Sequence, residues 1–144
     1  MAMIVLAIVL VSAVASANAQ SARKVSANIP FDFVVGDQTL AAGEYSLKAT
    51  TAPSNGLMIQ DENGKSSMRL TNSIEPRQNR RESRLVFHRY GQRYFLAEVW
   101  TGAGEVGRNL LKSRHEKAIE REEASIAKNA NGRYEIVEVA AVLR

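Results

Sequence analysis

The chain has 144 residues, no cysteine and a formal net charge of +4. Without cysteine it has no disulfide staple, no thiolate nucleophile, no thiolate metal site and no CxxC redox pair, so packing alone must hold the fold. The charge excess is modest. It favours solubility and weak attraction to anionic surfaces, and it does not mark a specific nucleic-acid binder.

The first element is a leader. Ile4 to Ala15 is an apolar run closed by Ser16-Ala17-Asn18-Ala19. Ala17-x-Ala19 has the small-x-small spacing that a signal peptidase reads, with cleavage before Gln20. The run is shorter than the roughly 20 apolar residues that span a bilayer. No Lys or Arg precedes it, so only the α-amino group supplies the usual positive charge. Residues 1–19 are therefore expected to be a signal peptide, and residues 20–144 a single domain of ordinary size. All 19 basic and 15 acidic residues lie in that domain. It contains no second stretch able to span a membrane, and the protein is expected in the periplasm or outside the cell.

Strands follow. Val25, Ala27, Ile29, Phe31, Phe33 and Val35 alternate with polar residues, the period of a half-buried strand. Pro30 has no N–H, which suggests an edge or a bulge there. After Gly36-Asp37 and Ala42-Gly43, Tyr45, Leu47 and Ala49 alternate against Glu44, Ser46 and Lys48 as a second strand. Asn63-Gly64 is the preferred two-residue hairpin turn. Folding about it sets Glu62 opposite Lys65, Ile59 opposite Met68 and Leu57 opposite Leu70, with all four apolar residues on one face. Met58 then pairs with Arg69 and Gln60 with Ser67.

Ser73 to Ser83 is polar, holds Pro76 and reads as a loop. Arg84 to Trp100 is a second hairpin turning at Gly91-Gln92. It pairs Phe87 with Leu96, Val86 with Ala97 and His88 with Phe95. Both of its faces are apolar, so it is expected at the centre with cover on each side. Gly102, Gly104 and Gly107 read as a flexible connection. Ser113-Arg114-His115-Glu116 matches a capping box: the Ser113 hydroxyl meets the N–H of Glu116, whose carboxylate reaches back. A helix from about 114 to 128 follows, with a thin stripe of Ala118, Ile119, Ile126 and Ala127, stopped by Asn129 and Asn131-Gly132. A closing strand at about 133–143 is late enough to pair with an early one.

The chemistry is sparse. His88 and His115 are the only histidines, too few for a zinc site of three or four ligands without HxH or HExxH spacing. A hydrolase would have to use His88 as base with Glu98 or Asp32 as acid, and no GxSxG elbow supplies a nucleophile. No cofactor motif is present. The strongest signal is basic. Arg77, Arg80, Arg81, Arg84, Arg89 and Arg93 fall close together, interleaved with Tyr90 and Tyr94. Guanidinium forks bind carboxylate and phosphate, and tyrosines stack on sugars or bases.

Phe31-Asp32-Phe33-Val34-Val35-Gly36 after Pro30, then Leu40-Ala41-Ala42-Gly43-Glu44-Tyr45, resembles an N-terminal signature of short exported bacterial proteins of unknown function, PFDFxVG followed by LxAGxY. Phe87-His88-Arg89-Tyr90-Gly91 and Tyr94-Phe95-Leu96 look similar to its downstream part. The resemblance implies an exported β-rich domain and carries no activity or site.

Taken together, these readings predict a mainly β fold. It is an antiparallel sandwich or small barrel of about seven or eight strands with one C-terminal helix. The expected core is Ile29, Phe31, Phe33, Tyr45, Leu47, Leu57, Ile59, Met68, Leu70, Leu85, Phe87, Phe95, Leu96, Val99 and Trp100. The expected function is a non-enzymatic binding or structural role at the cell envelope. Its partner is an anionic envelope component or another protein, or a second copy in a homodimer. The arginine stretch is the contact surface. The alternatives are an envelope-acting hydrolase using His88 and Glu98, or a small-ligand carrier.

Overall fold

Pro30 decides where the first strand ends. The computed structural model describes residues 23–50, 55–76, 80–102, 106–126 and 134–144. The expected signal peptide, Arg77, Gly104 and the helix-stop residues Asn129, Asn131 and Gly132 lie outside them. Although Lys24 to Val35 alternates throughout, the chain leaves its ladder at Pro30, which has no N–H to give. β1 (Lys24–Ile29) ends there, and β2 (Phe33–Val35) belongs to a different half of the fold. Asp32 stabilises the corner by accepting the Ala42 N–H at 2.9 Å.

β2 pairs with β3 (Gln38–Leu40) across Gly36-Asp37, and β1 pairs with β4 (Gly43–Ala49) in the alternation read from sequence. β4 then pairs with β5 (Gly56–Asp61), and β5 with β6 (Ser66–Ile74). The β5–β6 register differs by one residue from the expected one: Leu57 faces Arg69, Met58 faces Met68 and Ile59 faces Ser67. Asp61 is the cause. Its carboxylate accepts the N–H groups of Asn63 (3.0 Å) and Lys65 (2.8 Å), while its backbone N–H reaches the Lys65 carbonyl. The loop is therefore the three residues Glu62-Asn63-Gly64, with Gly64 at φ 82° closing it in the left-handed region. A one-residue slip moves every side chain to the other face. Met68 and Leu70, expected in the core, stand 54% and 67% exposed.

The second half is built on β7 (Arg84–Tyr90) and β8 (Arg93–Trp100). Phe87 faces Leu96 and His88 faces Phe95 as expected, but Val86 faces Glu98, because Ala97 is an extra residue in a bulge. Gly107 opens a further strand, β9 (Gly107–Leu110), instead of a flexible connection, and β9 bridges β8 and β6. The helix α1 (Arg114–Ile126) follows. The closing segment is two strands, β10 (Glu135–Ala140) on β7 and β11 (Val142–Leu143) on β1.

The described residues thus form eleven strands in one mixed sheet with one helix. The strand order is β10-β7-β8-β9-β6-β5-β4-β1-β11, with β2 lying parallel to β8. The fold is mainly β, as the sequence implies. It has more strands than the expected seven or eight, includes one parallel pair, and is not closed into a barrel. The sheet doubles over so that its halves share one core: Val25, Ile29, Tyr45, Leu47, Leu57 and Ile59 meet Phe33, Leu85, Phe87, Leu96, Val99 and Leu110. Phe31 packs at the margin of this core and is only half-buried. No described helix is long and apolar enough to cross a membrane.

Candidate functional site

Strand alternation sends Leu85 and Phe87 into the core and Arg84, Val86, His88 and Tyr90 to the opposite face of β7. Helix α1 covers only one end of that face. Its Ile119 packs with Tyr90 and Phe95, against Val34 and Tyr134, in a small second cluster. The remainder is an open groove. Val86 lies in it between Glu138 of β10 and Glu98 of β8, its neighbours in the ladder. Arg80, Arg84 and Trp100 line it, as do His88, Tyr134, Ile136, Asn109 and the residues Ser73–Glu75 where β6 ends.

One wall starts from a glycine. A Cβ at Gly107 would lie 2.7 Å from the Trp100 ring, so only glycine lets that indole settle on β9. The Arg84 guanidinium stacks over the indole at 4.9 Å. The indole N–H donates to Glu98 Oε2 at 2.8 Å. Arg84 itself is loosely held. Its Nε is buried without a hydrogen bond, 3.6 Å from Glu138 Oε1, and its Nη1 reaches the Glu82 carbonyl only at 3.4 Å. Glu138 is committed elsewhere, gripped by both Arg80 nitrogens at 3.0 and 2.9 Å. That hydrogen-bonded pairing holds the Glu138 carboxyl below the usual range and raises the Arg80 guanidinium further.

The other wall is organised by a carboxylate from the helix. The Ser113 hydroxyl accepts the Glu116 N–H at 3.0 Å, as a capping box requires. The Glu116 side chain does not reach back, however. It is buried, and Oε1 takes His88 Nδ1 at 2.9 Å and the Tyr90 hydroxyl at 3.3 Å. Burial first, then the Glu116 charge, pushes the Tyr90 phenol far above its ordinary value. His88 stacks on Tyr134 at 3.7 Å, and Lys112 lies 4.7 Å from the Tyr134 ring centre. A carboxylate at Nδ1 keeps an N–H there, while Nε2 of this groove-lining ring accepts when the imidazole is neutral and donates when it is charged. Nε2 has no hydrogen-bond partner among the described residues.

The arginine stretch does not form one surface. Arg80 and Arg84 line the groove. Arg89 lies on the other face of β7, on the Tyr94 ring at 5.5 Å and bonded to Glu135 at 3.2 Å. Tyr94 stacks on Phe31 at 3.8 Å, and Tyr90 is buried under the helix. Arg81 and Arg93 are exposed, and Arg77 lies outside the described residues. His88 and Glu98 do line the same groove. The acid that orients His88 is Glu116, however, while Glu98 holds the indole. No serine or threonine hydroxyl bonds to His88 among the described residues, so a nucleophile–base pair is not assembled. Among the described residues no three of His, Asp and Glu converge as metal ligands would. Sequence reading missed Glu116, Trp100 and Tyr134 as groove builders. The capping box flagged Glu116, but its destination depends on where the helix docks. No protein-family model, no curated protein and no solved structure matches the chain.

Proposed function

We propose that the protein is an exported, non-enzymatic domain that binds an envelope component in the groove on the outer face of the β7–β8 hairpin. The observation that carries the reading is the groove itself. Its two walls are pre-set, one by Trp100 seated on Gly107 and the other by His88 held on Glu116, and unspent polar groups face the space between. Pre-set walls lower the ordering cost of binding. That no serine or threonine hydroxyl bonds His88 among the described residues favours binding over acyl-transfer chemistry. Export rests on the apolar run and the Ala17-x-Ala19 site, and the resemblance to short exported proteins supports it.

Ile136 tests the reading, because it lines the groove yet is 62% exposed, so enlarging it leaves the core intact. Cells secreting the wild-type protein should yield a mature chain beginning at Gln20 that cosediments with the envelope fraction. Ile136→Arg should cosediment at least tenfold less while melting at the same temperature. Equal sedimentation of the two proteins, or a wild-type protein that stays wholly in the supernatant, would sink the proposal.

A further inference from the structure

The groove's unspent polar groups define the chemistry of its ligand. Arg80 and Glu138 satisfy one another, and Glu98 gives Oε2 to the Trp100 indole. Left over among the described residues are the loosely held Arg84 guanidinium, His88 Nε2 and the second oxygen of Glu98. The first is a cationic donor, the Glu98 oxygen is an acceptor, and His88 Nε2 can meet a hydroxyl, which both donates and accepts. On the assumption that this groove is the binding site, we infer that its ligand is a carboxylate-bearing glycan. Arg84 takes the carboxylate, Glu98 accepts from one hydroxyl, and His88 Nε2 hydrogen-bonds another.

Charge narrows the choice. With Arg80 neutralised by Glu138, Arg84 is the single remaining arginine or lysine of the groove among the described residues, and Glu98 and Glu75 line the same groove. A free phosphate or phosphate monoester would bring close to two negative charges and three acceptor oxygens toward those carboxylates, with one guanidinium to receive them. A sugar acid brings one carboxylate and several hydroxyls, which match one guanidinium fork, one carboxylate oxygen and one ring nitrogen. The aromatic faces argue in the same direction. Trp100 is already covered by Arg84, and Tyr134 carries His88 and Lys112, so no open ring awaits a nucleic-acid base. The aliphatic contact on offer is Ile74 and Ile136, with Val86 almost wholly buried, which suits the C–H face of a sugar ring. Arg84 and His88 are four residues apart on one strand, about 13 Å at the usual rise. That spacing fits a short oligosaccharide lying along β7 better than a free small acid.

The test is calorimetric titration of the purified protein with short xylo-oligosaccharides that each carry a single glucuronic acid, with their methyl esters, with inorganic phosphate and with phosphatidylglycerol vesicles. The acidic oligomers should bind, and esterification should weaken binding at least tenfold. Arg84→Lys, which keeps the charge and loses the fork, should lower affinity for the acid more than for the ester. His88→Gln should weaken both to a similar degree. The double variant Arg81→Gln/Arg93→Gln should bind as wild type. Equal binding of acid and ester would overturn the inference, because the carboxylate is then not read. Tighter binding of phosphate or of the vesicles would overturn it in favour of a phosphate ligand. If no oligomer binds, the glycan is wrong, while sensitivity of envelope cosedimentation to Ile136→Arg still judges the groove by itself.

Discussion

Tyr90 is a single hydroxyl on which the docking of α1 converges. Its ring lies under the helix, edge-on to Phe95 at 5.7 Å, and its O–H donates to the buried Glu116 carboxylate that also holds His88. Burial and that negative charge raise its pKa far above the ordinary value of about 10. The folded protein therefore keeps a proton that the unfolded chain would release. The stability this contributes is complete below about pH 10 and is lost as the pH rises from there. Urea midpoints measured from pH 8 to 11 should fall at the alkaline end. Tyr90→Phe should lose about 1 kcal/mol at pH 8, where the O–H bond is missing. It should also show a shallower alkaline decline, with the raised Tyr45 phenol accounting for part of what remains. Parallel declines in the two proteins would show that Tyr90 does not carry the effect. In sequence, His88 reads as an ordinary core or surface histidine. Its partner lies 28 residues away on another element, and no local spacing encodes that meeting.

At the scale of elements, the β5–β6 hairpin separates what patterning reveals from what one side chain decides. The two strands and their turn were legible from alternation and Asn63-Gly64. The register was not. Two-residue and three-residue loops compete at this turn, and the Asp61 carboxylate selects the longer one by binding two N–H groups at once. The selection costs apolar exposure at Met68 and Leu70, but it places Arg69 where its guanidinium bonds the Val35 carbonyl at 3.3 and 3.4 Å. That contact ties β6 to the β2–β3 hairpin of the other half. Asp61→Ala should destabilise the fold by about 1 kcal/mol, read as a lower urea midpoint. It should also shift the backbone amide resonances of Asn63 and Lys65 more than those of β7. Unchanged stability and resonances would mean that Gly64 alone sets the loop. The β7–β8 hairpin was legible only in part: its doubly apolar pattern implied a central place with cover on both faces, but α1 covers only one end of the outer face and β7 lies next to the edge strand β10. The bulge at Ala97 was not, since nothing in the alternation marks where one residue is left unpaired.

For the whole molecule, the question is whether the doubled-over sheet behaves as one unit. Its strand order ends in β10 on one side and β11 on the other, yet only Ala141 separates these two strands in sequence. The C-terminal chain therefore straps the two edges together without a closing ladder. The aromatic cluster does the same from inside. Phe87 of one half meets Phe31 and Phe33 edge-on at 5.1 and 5.6 Å, and Phe33 meets Tyr45 of the other half at 5.0 Å. Most of this core was legible because burial follows alternation. The pairing of the halves was not, because the jump at Pro30 and the strap at Ala141 are long-range. Phe87 is fully buried at the joint, so Phe87→Ala should cost about 3–5 kcal/mol. The wild-type protein should unfold in one transition, with Trp100 fluorescence reporting on the β7–β8 half and far-ultraviolet circular dichroism on the whole sheet. In Phe87→Ala both signals should move to lower denaturant together, because the lost ring served both halves. If only the Trp100 signal moves, the halves unfold separately, and the aromatic cluster does not couple them.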